Sequence, residues 1–288
     1  MLPTFVIGLR EGVEASLIVG IVAAFLRQRG ASKQLRWVWL GVGIAVAICL
    51  AVATVLQIID SNLPQRQQEQ LETVIAVIAV AMVTSMILWM ARHARTLKGD
   101  LETRAGAAVA EGSVMALVVM AFLAVLREGL ETAVFLLSAF QASSNRSASS
   151  AGALLGLAVA IVFGVAIYKG GVKINLAKFF TATGLVLVLV AAGLVAFAFH
   201  TGHEAGWVTF GQGELVDLSW LIKPGSVQSA LLTGVLGIQP KPTVIEGVGW
   251  LAYFVPVSLF VLRSSKRKPS RQPASRATVT APTTVSAT

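Results

Sequence analysis

Of the 288 residues, one is cysteine, three are histidine and only 13% are charged. A single cysteine cannot close a disulfide within the chain, which excludes a secreted disulfide scaffold. The charged fraction is well short of the ~25% usual in soluble domains, which excludes an ordinary soluble α/β enzyme. The sequence holds no His-Glu-x-x-His zinc motif and no Gly-Lys-Ser/Thr loop to cradle phosphate, so neither a zinc protease of that type nor an ATPase is expected. What abounds is apolar: 56% hydrophobic residues, with 26 glycines and six tryptophans. A net charge of +9 does not mark a nucleic-acid binder here. The basic residues lie in short runs between long apolar stretches, not on one solvated face. The composition is that of a polytopic membrane protein.

A helix that crosses the hydrocarbon core needs about 20 mostly apolar residues. Seven such stretches run approximately over 2–26, 37–59, 71–91, 113–140, 151–168, 179–199 and 244–262. They are continuous and rich in Ala, Val and Leu, without the in/out alternation of a barrel strand, so an all-α fold is expected. The first stretch lacks a basic n-region and carries Arg10 within it, unlike a cleavable signal peptide. Lys and Arg are distributed unevenly between the two sets of connections. One set, with the C-terminal tail, holds 17 and the other only 4. By the positive-inside rule the N-terminus is outside and the C-terminus is cytoplasmic. The tail over 263–288, made of Ser, Thr, Pro, Ala and Arg, is expected to be disordered in the cytoplasm. The outer segment 200–243 is the longest connection, and its weakly amphipathic part, 226–238, is expected to lie along the membrane surface.

The chain also repeats itself. Leu9-Arg10-Glu11-Gly12-Val13-Glu14 recurs as Leu126-Arg127-Glu128-Gly129-Leu130-Glu131. Downstream, the Gly43–Ile48 string in the second stretch resembles Gly156–Ile161 in the fifth. The expected domain is therefore 1–262, with repeat 1 over about 1–91, repeat 2 over about 113–199, and helix seven over 244–262. Three helices per half is an odd number, so the halves lie in opposite senses. Such inverted 3+3 repeats place substrate sites near the midplane, at the repeat interface.

Arg10, Glu11 and Glu14 lie about 12–18 Å into the first span at 1.5 Å per residue, close to the bilayer centre. Arg127, Glu128 and Glu131 lie midway along the fourth. Charges at that depth cost roughly 2.5–3.5 kcal/mol each and normally mark a functional path. With Arg10 set at 0°, Glu14 falls at about 40° and Glu11 at about 100°, while Gly12 falls near 200° on the back of the helix. Two Arg against four Glu leave a net −2, which calls for protonation or a bound cation. Carboxylate oxygens with no Cys or His nearby suit a hard cation. The residues alone specify a hard di- or trivalent cation, or protons.

The paired Arg-Glu-Gly-x-Glu motif resembles the signature of the iron permease family, which includes the yeast high-affinity iron permease and bacterial ferrous-iron permeases. The resemblance continues through Leu71-Glu72 and Met86-Ile87-Leu88-Trp89-Met90 of the third span, with Thr73 where the family commonly has Gly. Glu204-Ala205-Gly206-Trp207 and Gly249-Trp250-Leu251-Ala252-Tyr253 look like the bacterial branch. It implies seven spans and iron uptake across the plasma (inner) membrane, with Fe²⁺ or Fe³⁺ as the transported substrate. It implies no permanently bound cofactor and no chemistry on the chain itself. By resemblance Glu11, Glu14, Glu128 and Glu131 carry the iron path, and Arg10 and Arg127 hold those carboxylates in place. Glu72, at the outer end of the third span, is a weaker candidate. His203, Glu204 and Asp217, with His200, Glu214 and Glu246 beside them in sequence, are candidates for outer capture. An extracytoplasmic iron-binding protein and a haem peroxidase or oxidase are the implied partners. Two other readings stay open on the residues alone: a proton-coupled carrier of another divalent ion such as manganese, and an intramembrane enzyme using paired carboxylates.

The charge asymmetry sets a test of orientation. In intact cells, Gln212→Cys in the outer segment should react with an impermeant thiol reagent, and Ser275→Cys in the tail should not. A labelled tail would overturn the topology and the inverted repeat with it.

Overall fold

The computed structural model describes residues 1–28, 30, 32–93, 103, 114–143, 145–168, 176–220 and 236–266. Among them are seven α-helices: α1 (Leu2–Gln28), α2 (Leu35–Asn62), α3 (Gln65–His93), α4 (Val114–Gln141), α5 (Arg146–Tyr168), α6 (Leu176–Glu204) and α7 (Val244–Lys266). The described residues contain no strand, only one isolated antiparallel bridge between Glu214 and Thr243. Each apolar stretch read from the sequence coincides with one helix. Five of them, α2, α3, α5, α6 and α7, are long and apolar enough to cross a membrane. The other two, α1 and α4, are 27 and 28 residues long and each carries one Arg and two Glu of the repeated motif. Helix α7 runs on to Lys266, past the expected start of the tail at 263. The rest of the tail, 267–288, and residues 226–235 of the amphipathic stretch lie outside the described residues.

Local chemistry sets several helix ends. Pro64 immediately precedes α3, where its missing N–H costs nothing, and its carbonyl accepts from the Gln68 N–H at 3.0 Å. The Asn145 side chain accepts the Ala148 N–H at 3.0 Å and so caps α5. At α7, the Glu246 N–H donates to Thr243 Oγ1 at 3.4 Å while Glu246 Oε2 accepts the Thr243 N–H at 3.2 Å. This reciprocal pair is a capping box. Residues 236–238 are fixed differently from the surface placement expected of them. The Trp250 indole N–H donates to the Leu236 carbonyl at 2.8 Å. Gly237, with φ +65°, lies against Gly193 of α6, where a Cβ on Gly193 would come 3.0 Å from the Gly237 Cα.

The helices pair across the two sequence halves. Helix α1 packs along α5, α2 along α4, and α3 along α6, while α1 meets α4 at the centre and α7 joins the outside of α6. Exchanging α1, α2 and α3 for α4, α5 and α6 turns this set of pairings into itself. Small residues make the closest pairings possible. On α5, Gly152, Gly156, Ala160 and Gly164 recur every four residues and so form one stripe along the face toward α1. A Cβ at Gly12 would sit 2.6 Å from the Ala160 Cβ. A Cβ at Gly129, its equivalent in the second motif, would sit 2.5 Å from Cys49 Sγ of α2. Without water to drive association, close backbone approach of this kind supplies much of the attraction between helices in lipid.

The stripe predicts opposite effects of the same substitution. A Cβ at Gly156 would lie 2.8 Å from the Leu9 nitrogen and closer still to the Phe5 carbonyl, whereas at Gly20 nothing lies within 4 Å. Gly156→Ala should therefore destabilise by about 1–3 kcal/mol through overpacking. Gly20→Ala should stabilise by about 0.5–1 kcal/mol through helix propensity. Thermal unfolding of the detergent-solubilised protein reads both.

Candidate metal centre

The motif spacing turns directly into geometry. Residues i and i+4 share a helix face, and in both halves the Arg reaches its own Glu: Arg10 Nε lies 3.2 Å from Glu14 Oε1, and Arg127 Nε lies 2.9 Å from Glu131 Oε1. The residue after each Arg, Glu11 or Glu128, lies about 100° around its helix from that Arg, at the α1–α4 contact. There Glu11, Glu128 and Glu131 come together, with one oxygen of each within 4.8 Å of the others. Glu11 is 1% exposed and Glu128 is 7% exposed. Among the described residues this is the one group of three such side chains close enough to share a metal ion.

The charges do not cancel. Arg10 offsets Glu14 and Arg127 offsets Glu131, leaving Glu11 and Glu128 without a full counter-charge. Arg127 Nε is 3.9 Å from Glu128, and neither oxygen of Glu11 meets a hydrogen-bond donor among the described residues. Two unit negative charges no more than 4.8 Å apart repel by at least about 3.5 kcal/mol at an effective dielectric of about 20. Such a centre keeps both carboxylates ionised only with a cation between them. Oxygen-only donors favour hard, oxygen-seeking ions.

The two arginines, expected to play matching buried parts, differ. Arg10 is completely buried, and its two terminal nitrogens have no acceptor among the described residues. The Arg127 side chain is 70% exposed. Gly12 does lie on the back of α1, against Ala160, as the helical projection requires.

The weaker candidates occupy separate places. Glu72 is half-buried near the start of α3, where Gln68 Nε2 donates to it at 3.2 Å, and it is not part of the carboxylate trio. Its neighbour Thr73, standing where glycine is common in the family, is buried with its hydroxyl 2.8 Å from that of Thr201 on α6. Of the outer residues, Glu204 and Glu246 meet at His200, while His203 and Asp217 lie elsewhere. His203 Nδ1 lies 2.8 Å from the Val208 carbonyl. Glu204 Oε1 lies 3.5 Å from His200 Nε2. Asp217 receives the Ser219 N–H at 2.8 Å and lies 3.5 Å from Lys241; hydrogen bonds from Ser219, aided by Lys241, hold its carboxyl below the ordinary carboxylate range. Glu214 also faces Lys241, at 3.4 Å. His200 also lies 3.0 Å from Glu246, and that carboxylate already caps α7. One buried polar contact carried no sequence signal: Gln141 Nε2 at the end of α4 donates to Asp60 Oδ1 at the end of α2, at 3.1 Å.

With this geometry in place, comparison with known proteins is decisive. The iron permease FTR1 family matches residues 1–265. The chain belongs to that family. It is 40% identical over 258 residues to the ferrous iron permease EfeU of Yersinia pestis, covering 89% of this chain and 91% of the relative. It is 40% identical over 267 residues to that of Escherichia coli O6:K15:H31 (strain 536 / UPEC), covering 91% and 96%. It is 41% identical over 254 residues to that of Yersinia pseudotuberculosis serotype I (strain IP32953), covering 88% and 89%. No solved structure matches significantly.

The contrast between the arginines yields a prediction. Arg10→Ala leaves Glu14 buried and unpaired and should cost about 3–5 kcal/mol of stability. Arg127→Ala leaves Glu131 about as enclosed as Glu14 but opens no cavity, because the Arg127 side chain is 70% exposed, so it should cost less than Arg10→Ala, which also empties a fully buried site. Folded yield and thermal midpoint of the two purified variants give the comparison, and equal losses would contradict it.

Proposed function

We propose that this chain carries iron into the cell, with the ferrous ion as cargo and Glu11, Glu128 and Glu131 as its central binding group. The observation that carries this reading is the residual charge of −2 at a buried, oxygen-only centre, which a single divalent cation neutralises without remainder. The curated relatives are named ferrous iron permeases, which accords with it. Glu14, paired with Arg10, completes the four carboxylates of the two motifs and stands beside the central group.

In this reading all seven helices cross the plasma membrane. Arg10 and the four motif carboxylates then face the protein interior instead of lipid, as charged groups at that depth do, while Arg127 reaches outward from α4. The α1–α3 and α4–α6 halves form an inverted repeat, supported by pairings that survive exchange of the halves and by the twice-used motif. The N-terminus is outside and the tail cytoplasmic, in keeping with the uneven Lys and Arg count. The protein transports and does no chemistry, and delivery falls to an extracytoplasmic iron-binding protein with a haem peroxidase or oxidase. Glu72 and the outer residues His203, Glu204 and Asp217 serve at most as approach sites, since they are not part of the central group.

The test is iron uptake per folded molecule in proteoliposomes. Glu11→Gln and Glu128→Gln keep size and hydrogen bonding but remove the charge a cation requires, so each should abolish most uptake while leaving folded yield near normal. Glu14→Gln and Glu131→Gln should also lose most uptake. Excess manganese or zinc should compete weakly with iron. Normal uptake by the four variants, or equal competition by manganese, would overturn the proposal.

A further inference from the structure

Between the carboxylates and the far ends of α1 and α4 the structure holds two layers of different character. Farthest out is a small open cavity lined by Met1, Thr4, Ala139, Ala142, Ser143 and Gln239 among others. Thr4 precedes Glu11 by seven residues and Ala142 follows Glu131 by eleven, so the cavity begins about 10 Å above the carboxylates at 1.5 Å per residue. Between them, on the same helix faces, lie Ile7 and Phe135. Ile7 is one turn before Glu11 on α1, and Phe135 is one turn after Glu131 on α4. Each is 1% exposed. Both belong to one buried apolar cluster with Val6, Leu187 and Leu194.

From this layering we infer that Ile7 and Phe135 form the outer gate of the cation path, a single dry apolar layer between the outer cavity and the carboxylate group. The inference rests on the transport reading and goes beyond it by naming the barrier. A hydrated cation cannot enter a layer that offers no oxygen, because stripping its water there is uncompensated. Apolar constrictions gate ion paths on this principle. On α1 and α4 the barrier is the single turn next to the carboxylates, so it can open by a small separation of α1 from α4, and both helices bring their own carboxylates to its inner side. Cation entry and completion of the binding group are thereby coupled to the same helix contact.

Thiol labelling tests the gate without iron. The native Cys49 is the sole cysteine and is replaced by Ala. Ala142→Cys then reports the cavity and Glu131→Cys the space beneath the layer. Both are probed in intact cells with a membrane-impermeant cationic methanethiosulfonate. Ala142→Cys should react readily, and Glu131→Cys should react at least about tenfold more slowly. Adding Phe135→Ala or Ile7→Ala should bring Glu131→Cys up toward the cavity rate, while Phe135→Leu should preserve most of the protection. An unchanged Ala142→Cys rate in the same gate variants shows that they remain folded, and Ile7→Ala supplies the opening should Phe135→Ala misfold. The gate is overturned if Glu131→Cys reacts as fast as Ala142→Cys with both apolar residues intact. It is equally overturned if Glu131→Cys stays protected when both are alanine. Iron uptake by the Cys49→Ala parent is scored separately. Failure there sinks the transport reading, whereas fast labelling of Glu131→Cys in a parent that carries iron sinks only the gate.

Discussion

Two buried carboxylates without full counter-charges, Glu11 and Glu128, are the constraint around which the molecule is built. Each of the other two motif carboxylates has an arginine one turn away on its own helix. These two face each other across the α1–α4 contact, with Glu131 as the third member. Their repulsion, several kcal/mol at this separation, would separate the helices that carry them were nothing positive to come between. A centre of this kind is therefore poised: stable packing elsewhere holds the carboxylates close, and a bound cation would relieve what that closeness costs.

The packing that holds them is built from small residues. Gly12 backs against Ala160 and Gly129 against Cys49, so each motif helix is pressed from behind by the second helix of the other half. The front of each motif helix is thus pushed toward the centre. A larger side chain at either glycine would force the motif helix and its neighbour apart and displace Glu11 or Glu128 from its place. The same glycine in the Arg-Glu-Gly-x-Glu motif thereby serves packing and, through packing, charge placement. Helices α3 and α6 close the remaining sides, joined by the Thr73–Thr201 contact, while Tyr253 of α7 lies 2.8 Å from Thr84 of α3.

The helices and the central site were legible in the sequence because both depend on short-range spacing. Continuous apolar runs of about 20 residues are long-range only in length, and i to i+4 pairing follows from helix geometry alone. What the sequence concealed depends on how helices are staggered and which neighbours cover them. Arg10 and Arg127 occupy identical motifs, yet one is enclosed and the other reaches the surface, since the halves are not packed alike by their surroundings. His203, Glu204 and Asp217 lie within fifteen residues of one another but are turned toward Val208, His200 and Lys241 respectively. Asp60 gave no sign of meeting Gln141, 81 residues away. Proximity in sequence predicted contact only where a regular helix connected the residues.

The most direct measurement is anaerobic ferrous-iron binding to the purified, detergent-solubilised protein, with X-ray absorption at the iron edge to identify the ligand atoms. The account predicts one tightly held ion per chain in an all-oxygen shell. Binding should be lost in Glu11→Gln and Glu128→Gln and kept in Glu72→Gln and His203→Ala. Nitrogen in the first coordination shell, or undiminished binding by Glu11→Gln and Glu128→Gln, would contradict the claim that these carboxylates hold the cation.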